Sequence, residues 1–376
     1  MESHFFQRNT IQINFKGENH MKVSIIGGGN LGTLMGAAFA HRGHEVVIRT
    51  SKPEKFSAEL EAYDKEDKIV YKGKVSKITS DWKDAVEGAN VIWVTVPPQM
   101  FIETANAMEP YVKEGQMVGI IPGAGAAEFA FKRIIEKGAR FFGLARVPSI
   151  ARVKETGKSA YLLGPAPELL VGSIPARNAK QICEEIQTLY SMKCRPIANY
   201  LAVAFTPSNP VLHTSRIYGM FKDYIPGNHY PTNELFYENW TIDGAEILMN
   251  CSDELQQLCK AIPMDLRDVE SMQSRHGVRN PEELAAKICS LDRLKGLYSP
   301  VVKDEIGYVP DFNSRYFASD FTYGIKIMIE VADLFDVPTP TMDTIWEWYM
   351  RVQPEKADNC FKLDMTQKEF VDFYMG

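Results

Sequence analysis

The chain has no C-x-x-C pair. Its six cysteines, Cys183, Cys194, Cys251, Cys259, Cys289 and Cys360, are scattered, without a companion histidine at zinc spacing. That excludes a zinc-ribbon pattern and a disulfide framework; the cysteines read as reduced thiols of a cytosolic protein, and no metal is expected. Clustered Lys and Arg are missing too, and 42 basic against 48 acidic residues leave a net charge of −6. A protein built for nucleic acid or an anionic membrane carries a basic footprint, so neither partner is expected. No apolar run reaches membrane-spanning length, and the polar first twenty residues hold no signal-peptide core. Met21 stands directly before the first apolar run, so residues 1–20 read as a lead-in that is disordered or outside the native start. A cytoplasmic location is the default.

What is present is ample for a large soluble protein. The 376 residues, 45% hydrophobic and 24% charged, suggest two or three domains at roughly 150 residues each. Lys22–Ile26 is a short apolar run ending in glycines; residues 31–42 have helical character, and Glu45–Arg49 is a second β-branched run. Strand, glycine turn, helix and strand make the first βαβ unit of a doubly wound sheet. Residues 51–84 are charged, with one strand expected at 74–79. Residues 91–96 and 117–121 are continuously apolar and stop at Pro97-Pro98 and Pro122-Gly123, as buried parallel strands do. Arg140–Leu144 and residues 160–163 are weaker strand candidates. After Asn199 helical periodicity takes over, at 212–221, 242–261, 282–291, 321–335, 341–352 and 368–375. The last is opened by a capping box, Thr366 to Glu369. The expected fold is therefore an α/β Rossmann domain with a mostly parallel sheet at 21–198, followed by an all-α domain at 199–376.

The segment Gly27-Gly28-Gly29-Asn30-Leu31-Gly32 fits G-x-G-x-x-G. The first glycine permits the turn, the second lets backbone approach a pyrophosphate, and the third lets the helix pack close to the strand. Amides of Asn30, Leu31 and Gly32 then face the phosphates at a helix N-terminus. The pattern alone is weak, but here it follows a strand and opens a helix. At the end of the second strand an acidic residue would bind the ribose 2′-hydroxyl of NAD(H). The chain has Arg49-Thr50-Ser51 instead, a guanidinium and two hydroxyls suited to a 2′-phosphate. NADP(H) is thus favoured, with NAD(H) the alternative. Val96 and Pro97 would border the adenosine and pyrophosphate, and Pro122 and Gly123 the nicotinamide.

Histidine is scarce, at seven, and the one of interest is His213 in Asn209-Pro210-Val211-Leu212-His213. Asn209 suits an N-cap and Pro210 a first helical residue, which puts His213 in the opening turns. On spacing alone a structural histidine is the better reading. These segments, taken in order, resemble the octopine/nopaline (opine) dehydrogenases from about residue 21 onward. The N-P-x-x-H segment is followed by Phe236-Tyr237-Glu238, by a helix with Cys251-Ser252-Asp253-Glu254, and by Arg315-Tyr316-Phe317-Ala318-Ser319-Asp320, an R-Y-x-x-x-D segment.

The resemblance implies a catalytic dyad of His213 and Asp320, with Arg315 near the substrate. Asp320 also reads as an ordinary N-cap of helix 321–335, and Arg315 as a solvated loop residue or a carboxylate ligand. Asn209 stands beside the site or is only a cap; Phe236, Tyr237 and Trp240 read as packing. Two departures stand out. Cys251 replaces an expected acidic residue, and Arg49-Thr50 replaces the acidic position of members that use NAD. The implied activity is reductive condensation of a 2-oxo acid with an amino acid, both small-molecule partners, and the reading leaves a homodimer open. The alternatives are a 2-oxo acid or ketopantoate-type reductase, which would need a catalytic lysine in the helical domain, and an NADP-sensing regulatory protein without turnover. A 6-phosphogluconate-like enzyme is disfavoured for want of a G-x-x-x-K-x-x-x-N helix.

Overall fold

The computed structural model describes residues 20–206, 209–358 and 361–376, so all of the lead-in at 1–20 but His20, and Cys360, lie outside the described residues. Strand β1 (Lys22–Ile26) runs through the 27–32 turn into the helix Asn30–His41 and out to β2 (Glu45–Arg49). Next come β3 (Glu59–Tyr63), β4 (Ile69–Lys74), β5 (Lys77–Thr79), β6 (Val91–Val94), β7 (Met117–Ile120) and β8 (Arg140–Leu144). β9 (Ser149–Glu155), β10 (Ser159–Pro165), β11 (Leu169–Ile174) and β12 (Cys194–Pro196) complete this half.

Eight of these strands form one sheet in the order β12-β11-β8-β7-β6-β1-β2-β5, parallel throughout except between β8 and β11. The chain steps outward from β1 to β5, then returns to β6 on the other side of β1. That reversal opens a crevice at the carboxyl ends of β1 and β6, where doubly wound sheets bind ligands. Strands β6 and β7 are buried along their whole length, which explains their uninterrupted apolar sequences.

A second sheet, β4-β3-β10-β9, is not foreseen in the sequence reading of 51–84 as a charged stretch with one strand. β3 alternates strictly: Leu60 and Ala62 are buried while Glu59 faces solvent. Two of its five residues are charged, yet its inner face is apolar. The sheet covers the helix Asn30–His41 on the side away from the main sheet. A Cβ on Gly36 would lie 2.8 Å from Ile48 of β2 and 2.9 Å from Leu60 of β3, so the helix is clamped between two sheets. Its small residues Gly36, Ala37 and Ala38 make that spacing feasible.

Helices dominate from Tyr200 onward: Tyr200–Phe205, Asn209–Phe221, Ile242–Ala261, Pro281–Cys289, Lys326–Leu334, Pro340–Val352 and Gln367–Met375 are among them. The capping box forms as expected: the Thr366 side chain accepts from the Glu369 amide, and Glu369 accepts from the Thr366 amide at 2.8 Å. The helical half also carries one short antiparallel pair, β13 (Val301–Lys303) and β14 (Tyr308–Pro310), where no strand was expected. Glu254, buried on Ile242–Ala261, accepts from the amides of Thr341 and Met342 at 2.7 and 3.0 Å. It satisfies the free N-terminal amides of the helix Pro340–Val352, and its negative charge suits that end of the dipole.

The two halves share a core. Ile92 and Val94 of β6, with Val118 and Ile120 of β7, pack in one cluster with Tyr200, Val203, Phe321, Trp348 and Tyr349. Val91, Trp93 and Met117 point to the other face of the sheet and meet Ile182, Ile186 and Tyr190. The helical domain is therefore docked on the nucleotide-binding domain through continuous apolar packing. Among the described residues no helix is long and apolar enough to cross a membrane.

Candidate active site

The phosphate loop is shaped by contacts that leave no room for larger residues. A Cβ on Gly32 would sit 1.8 Å from the carbonyl oxygen of Gly27, so helix and strand approach as closely as the motif requires. At Gly29, by contrast, a Cβ would meet nothing within 4 Å. That is an open cradle, solvent-exposed, where a pyrophosphate fits. The first helical hydrogen bond runs from the Thr33 amide to the Gly29 carbonyl at 3.0 Å, so the amides before it point outward without helical partners. Thr95, just beyond β6, donates its hydroxyl to the carbonyl oxygens of Ile26 and Gly27, at 3.1 Å each, and closes the crevice floor.

The side chains of Asn30 and Leu31 serve the scaffold, while their amides stay free for the phosphates. The side-chain oxygen of Asn30 accepts from the Val153 amide at 2.7 Å, tying the loop to β9. Leu31 is half-buried and packs against the second core. At the end of β2 the Arg49 guanidinium lies over the Trp82 ring at 3.9 Å, and its buried Nε has no partner. Burial lowers its proton affinity, with Glu103 opposing, though arginine stays charged. A half-buried cation with a buried, unused donor is suited to an anion. The Thr50 amide is spent on the Thr79 carbonyl at 2.9 Å, and Ser51 is exposed. These residues fit a nicotinamide dinucleotide.

At the far end of the crevice the turns after β6 and β7 touch: a Cβ on Gly125 would lie 2.8 Å from Pro98. Val96 is half-buried, and Pro97 and Pro122 stay exposed. Gly123, expected at the nicotinamide, is instead turned inward. Its amide bonds the Leu144 carbonyl at 2.9 Å, and a Cβ there would meet Val203 at 2.4 Å. It is glycine because β8 and a helix crowd it. The helical domain meets these turns through Ser319, which donates to the side-chain oxygen of Gln99 at 3.2 Å.

Next to Ser319 the site proper begins. His213, 2% exposed, places Nδ1 2.8 Å from Oδ2 of Asp320 and Nε2 3.0 Å from the Tyr237 hydroxyl. A carboxylate accepts only, so Nδ1 carries the proton of that bond, and Nε2 of the neutral ring accepts from Tyr237. The ring is walled by Tyr316 and Phe236, at 4.7 and 5.6 Å between centroids, both edge to face.

Asp320 is not the helix cap that its sequence position suggests. It lies inside a π-helix, Tyr316–Ile325, that precedes Lys326–Leu334. In an α-helix residues five apart face different ways; i→i+5 bonding brings them onto one side. Arg315 and Asp320 are five apart, and the Asp320 carboxylate helps raise the proton affinity of Arg315. The π-helix is pressed onto Asn209–Phe221 at Gly324, where a Cβ would lie 2.7 Å from Pro210. That close approach sets Asp320 against His213. Asn209 is itself the first residue of its helix and not the cap before it; residues 207 and 208 lie outside the described part.

Arg315 is solvent-exposed, its guanidinium 5.0 Å from the Tyr316 ring centroid. Desolvation by crowding neighbours works against its charge, but Tyr316, Asp320 and Tyr237 outweigh that and raise its proton affinity. A charged planar fork at the mouth of the site suits a carboxylate. Tyr237 is 6% exposed; burial first, then Tyr316 and Asp320, push its phenol well above the ordinary range, while Arg315 and Arg152 pull the other way.

Comparison with known proteins agrees with this layout. Residues 196–352 match the alpha-helical domain of the NAD/NADP octopine/nopaline dehydrogenases, and residues 22–123 match the coenzyme F420-dependent NADP oxidoreductase family. Tauropine dehydrogenase of Arabella iricolor is 27% identical over 364 residues, covering 88% of this chain and 91% of its own. Octopine dehydrogenase of Mizuhopecten yessoensis is 28% identical, covering 87% and 89%. A solved octopine dehydrogenase with NADH and pyruvate superposes with a TM-score of 0.77 at 25% identity, covering 90% and 89%. The chain is thus similar to the opine dehydrogenases over nearly nine-tenths of its length. It is an NAD(P)-dependent oxidoreductase.

Three candidate site residues are not marked as such in the sequence. Tyr237 was read as packing; it packs, but its hydroxyl also holds His213, and no linear pattern shows that. Arg216, one turn beyond His213, is 2% exposed and donates from Nε to the Phe236 carbonyl at 3.0 Å, pinning the segment that bears Tyr237. A lone arginine in an apolar helix stretch is a readable signal of such a buried anchor. Arg152, on β9, extends its charge to the Tyr237 hydroxyl from the other domain. Phe236 and Trp240 are fully packed, as expected.

Proposed function

We propose that this protein acts as an opine dehydrogenase: it condenses a 2-oxo acid with the amino group of an amino acid and reduces the imine, with NADPH preferred over NADH. The observation that carries the reading is the buried His213 bonded to Asp320, beside the exposed, charged Arg315, where the helical domain meets the nicotinamide-side turns through Ser319 and Gln99. The 27–32 loop and its helix N-terminus would hold the pyrophosphate, and Arg49 with Thr50 and Ser51 the 2′-phosphate. When bound, the reduced nicotinamide supplies the hydride.

Arg315 binds the 2-oxo acid carboxylate and fixes the reacting carbon. The amine adds to that carbon, and the charged His213 provides the proton with which the hydroxyl of the adduct leaves as water. Asp320 keeps the imidazole in one tautomer and balances its charge. The shared apolar core and the aromatic walls around His213 limit water at the reacting centre.

The test is a panel of 2-oxo acids crossed with amino acids, followed by NADPH and NADH absorbance. Turnover that needs both organic substrates is expected. Reduction of a lone 2-oxo acid, with no response to any amine, would mark a plain 2-oxo acid reductase; no turnover at all would favour a cofactor sensor.

A further inference from the structure

Neither ring nitrogen of His213 is open: Nδ1 is held by Asp320 and Nε2 by Tyr237, and the residue is 2% exposed. A substrate seated against Arg315 therefore meets the Tyr237 hydroxyl before it meets the imidazole. We propose that Tyr237 is a catalytic residue, the terminal proton donor and acceptor of a relay running Asp320, His213, Tyr237, substrate. The proposal rests on the reductase reading above.

The step balances without any further reactant. The protonated imidazole gives up its Nε2 proton to the Tyr237 oxygen while the Tyr237 O–H bond breaks and that proton passes to the substrate oxygen or nitrogen. His213 ends neutral, with Nε2 accepting from the re-formed hydroxyl. The reverse reaction runs the same path backward. A hydroxyl suits this position because it donates and accepts, so it satisfies Nε2 in both charge states. Burial of the phenol disfavours a free tyrosinate, so the two transfers are coupled. Three features prepare the residue for the task. Its ring is stacked near Trp240 and set edge-on to Phe236, its segment is anchored by Arg216, and its hydroxyl feels charges from both domains through Arg315 and Arg152.

Tyr237→Phe keeps the ring and removes the relay oxygen. Under single-turnover conditions the rate is expected to fall about 10²- to 10⁴-fold, the range for a lost acid–base group, with cofactor affinity unchanged. In the cofactor-free protein the ¹⁵N resonance of His213 Nε2 is expected to shift as its hydrogen bond disappears. A third measurement needs no variant: the wild-type rate plotted against the deuterium fraction of the solvent should bow, because two protons move together. A straight plot, a Tyr237→Phe rate within a few-fold of wild type, or an unmoved Nε2 resonance would overturn the relay. If the amine substrate fails and a lone 2-oxo acid is reduced, the same measurements apply to that reaction, so the relay and the substrate assignment fail separately.

Discussion

The two halves of the molecule build their sites in opposite ways. The cofactor crevice is made largely from one contiguous stretch: strand, 27–32 turn and helix, with Arg49 at the end of the next strand. The His213 site is collected from afar. Asp320 lies 107 residues from His213 and Tyr237 lies 24 away, and each comes from a different element. A local motif works through backbone, where sterics decide; a dispersed site works through side chains brought together by packing. The first tolerates change in its neighbours but not in its glycines, and the second should show the reverse.

The largest effect expected is on the dispersed site. His213→Ala should lower kcat by about 10²- to 10⁴-fold and leave NADPH affinity unchanged, as read by steady-state kinetics beside fluorescence titration. Loss of cofactor binding in this variant would break the separation between the halves. Gly32→Ala is its counterpart. With a methyl driven towards the Gly27 carbonyl, cofactor affinity should weaken by roughly 10- to 100-fold, the equivalent of about 1–3 kcal/mol of overpacking. Normal affinity there would mean that the loop relaxes.

A third comparison concerns stability at the seam between the halves. Glu128 is fully buried, accepts from the Tyr374 hydroxyl of the last helix at 2.7 Å, and burial pushes its carboxyl up to about 7. Below the ordinary carboxyl value near 4.5 both folded and unfolded chains hold the proton, so nothing is lost. As pH rises from there to about 7 only the unfolded chain releases it, and the folded state loses stability across that window, most fully above it. Glu128→Gln should therefore stabilise at pH 8 by on the order of 1–3 kcal/mol and not at pH 4, measured by denaturant melts. Equal effects at both pH values would show that the carboxyl does not titrate there. The smallest effect is at Arg49. Arg49→Ala should weaken NADPH about tenfold and NADH much less; equal loss of both would remove the argument for NADPH.

Where the sequence was readable, the signal was local. The βαβ start, the apolar runs of β6 and β7 and the Thr366 capping box each follow from a few adjacent residues. The charged segment 51–84 hid β3 and β4, because alternation of Leu60 and Ala62 with Glu59 and Glu61 is easily mistaken for a solvated loop. Asp320 looked like a helix cap because the periodicity at 321–335 is strong; nothing in the letters marks the π-helix that begins at Tyr316. Gly123 looked like a ligand-contact glycine, yet it is crowded by Val203, which belongs to a helix 80 residues on.

By itself the sequence determined that a dinucleotide turn exists and what family the chain resembles, since backbone geometry at glycines and the order of motifs are local properties. Only the tertiary structure decided that His213 has both nitrogens occupied, that Asp320 turns toward it from a π-helix pressed onto Pro210, and that Tyr237 completes the set. Those facts depend on how three separate elements pack. Packing is settled by the whole core at once, so no short segment records it.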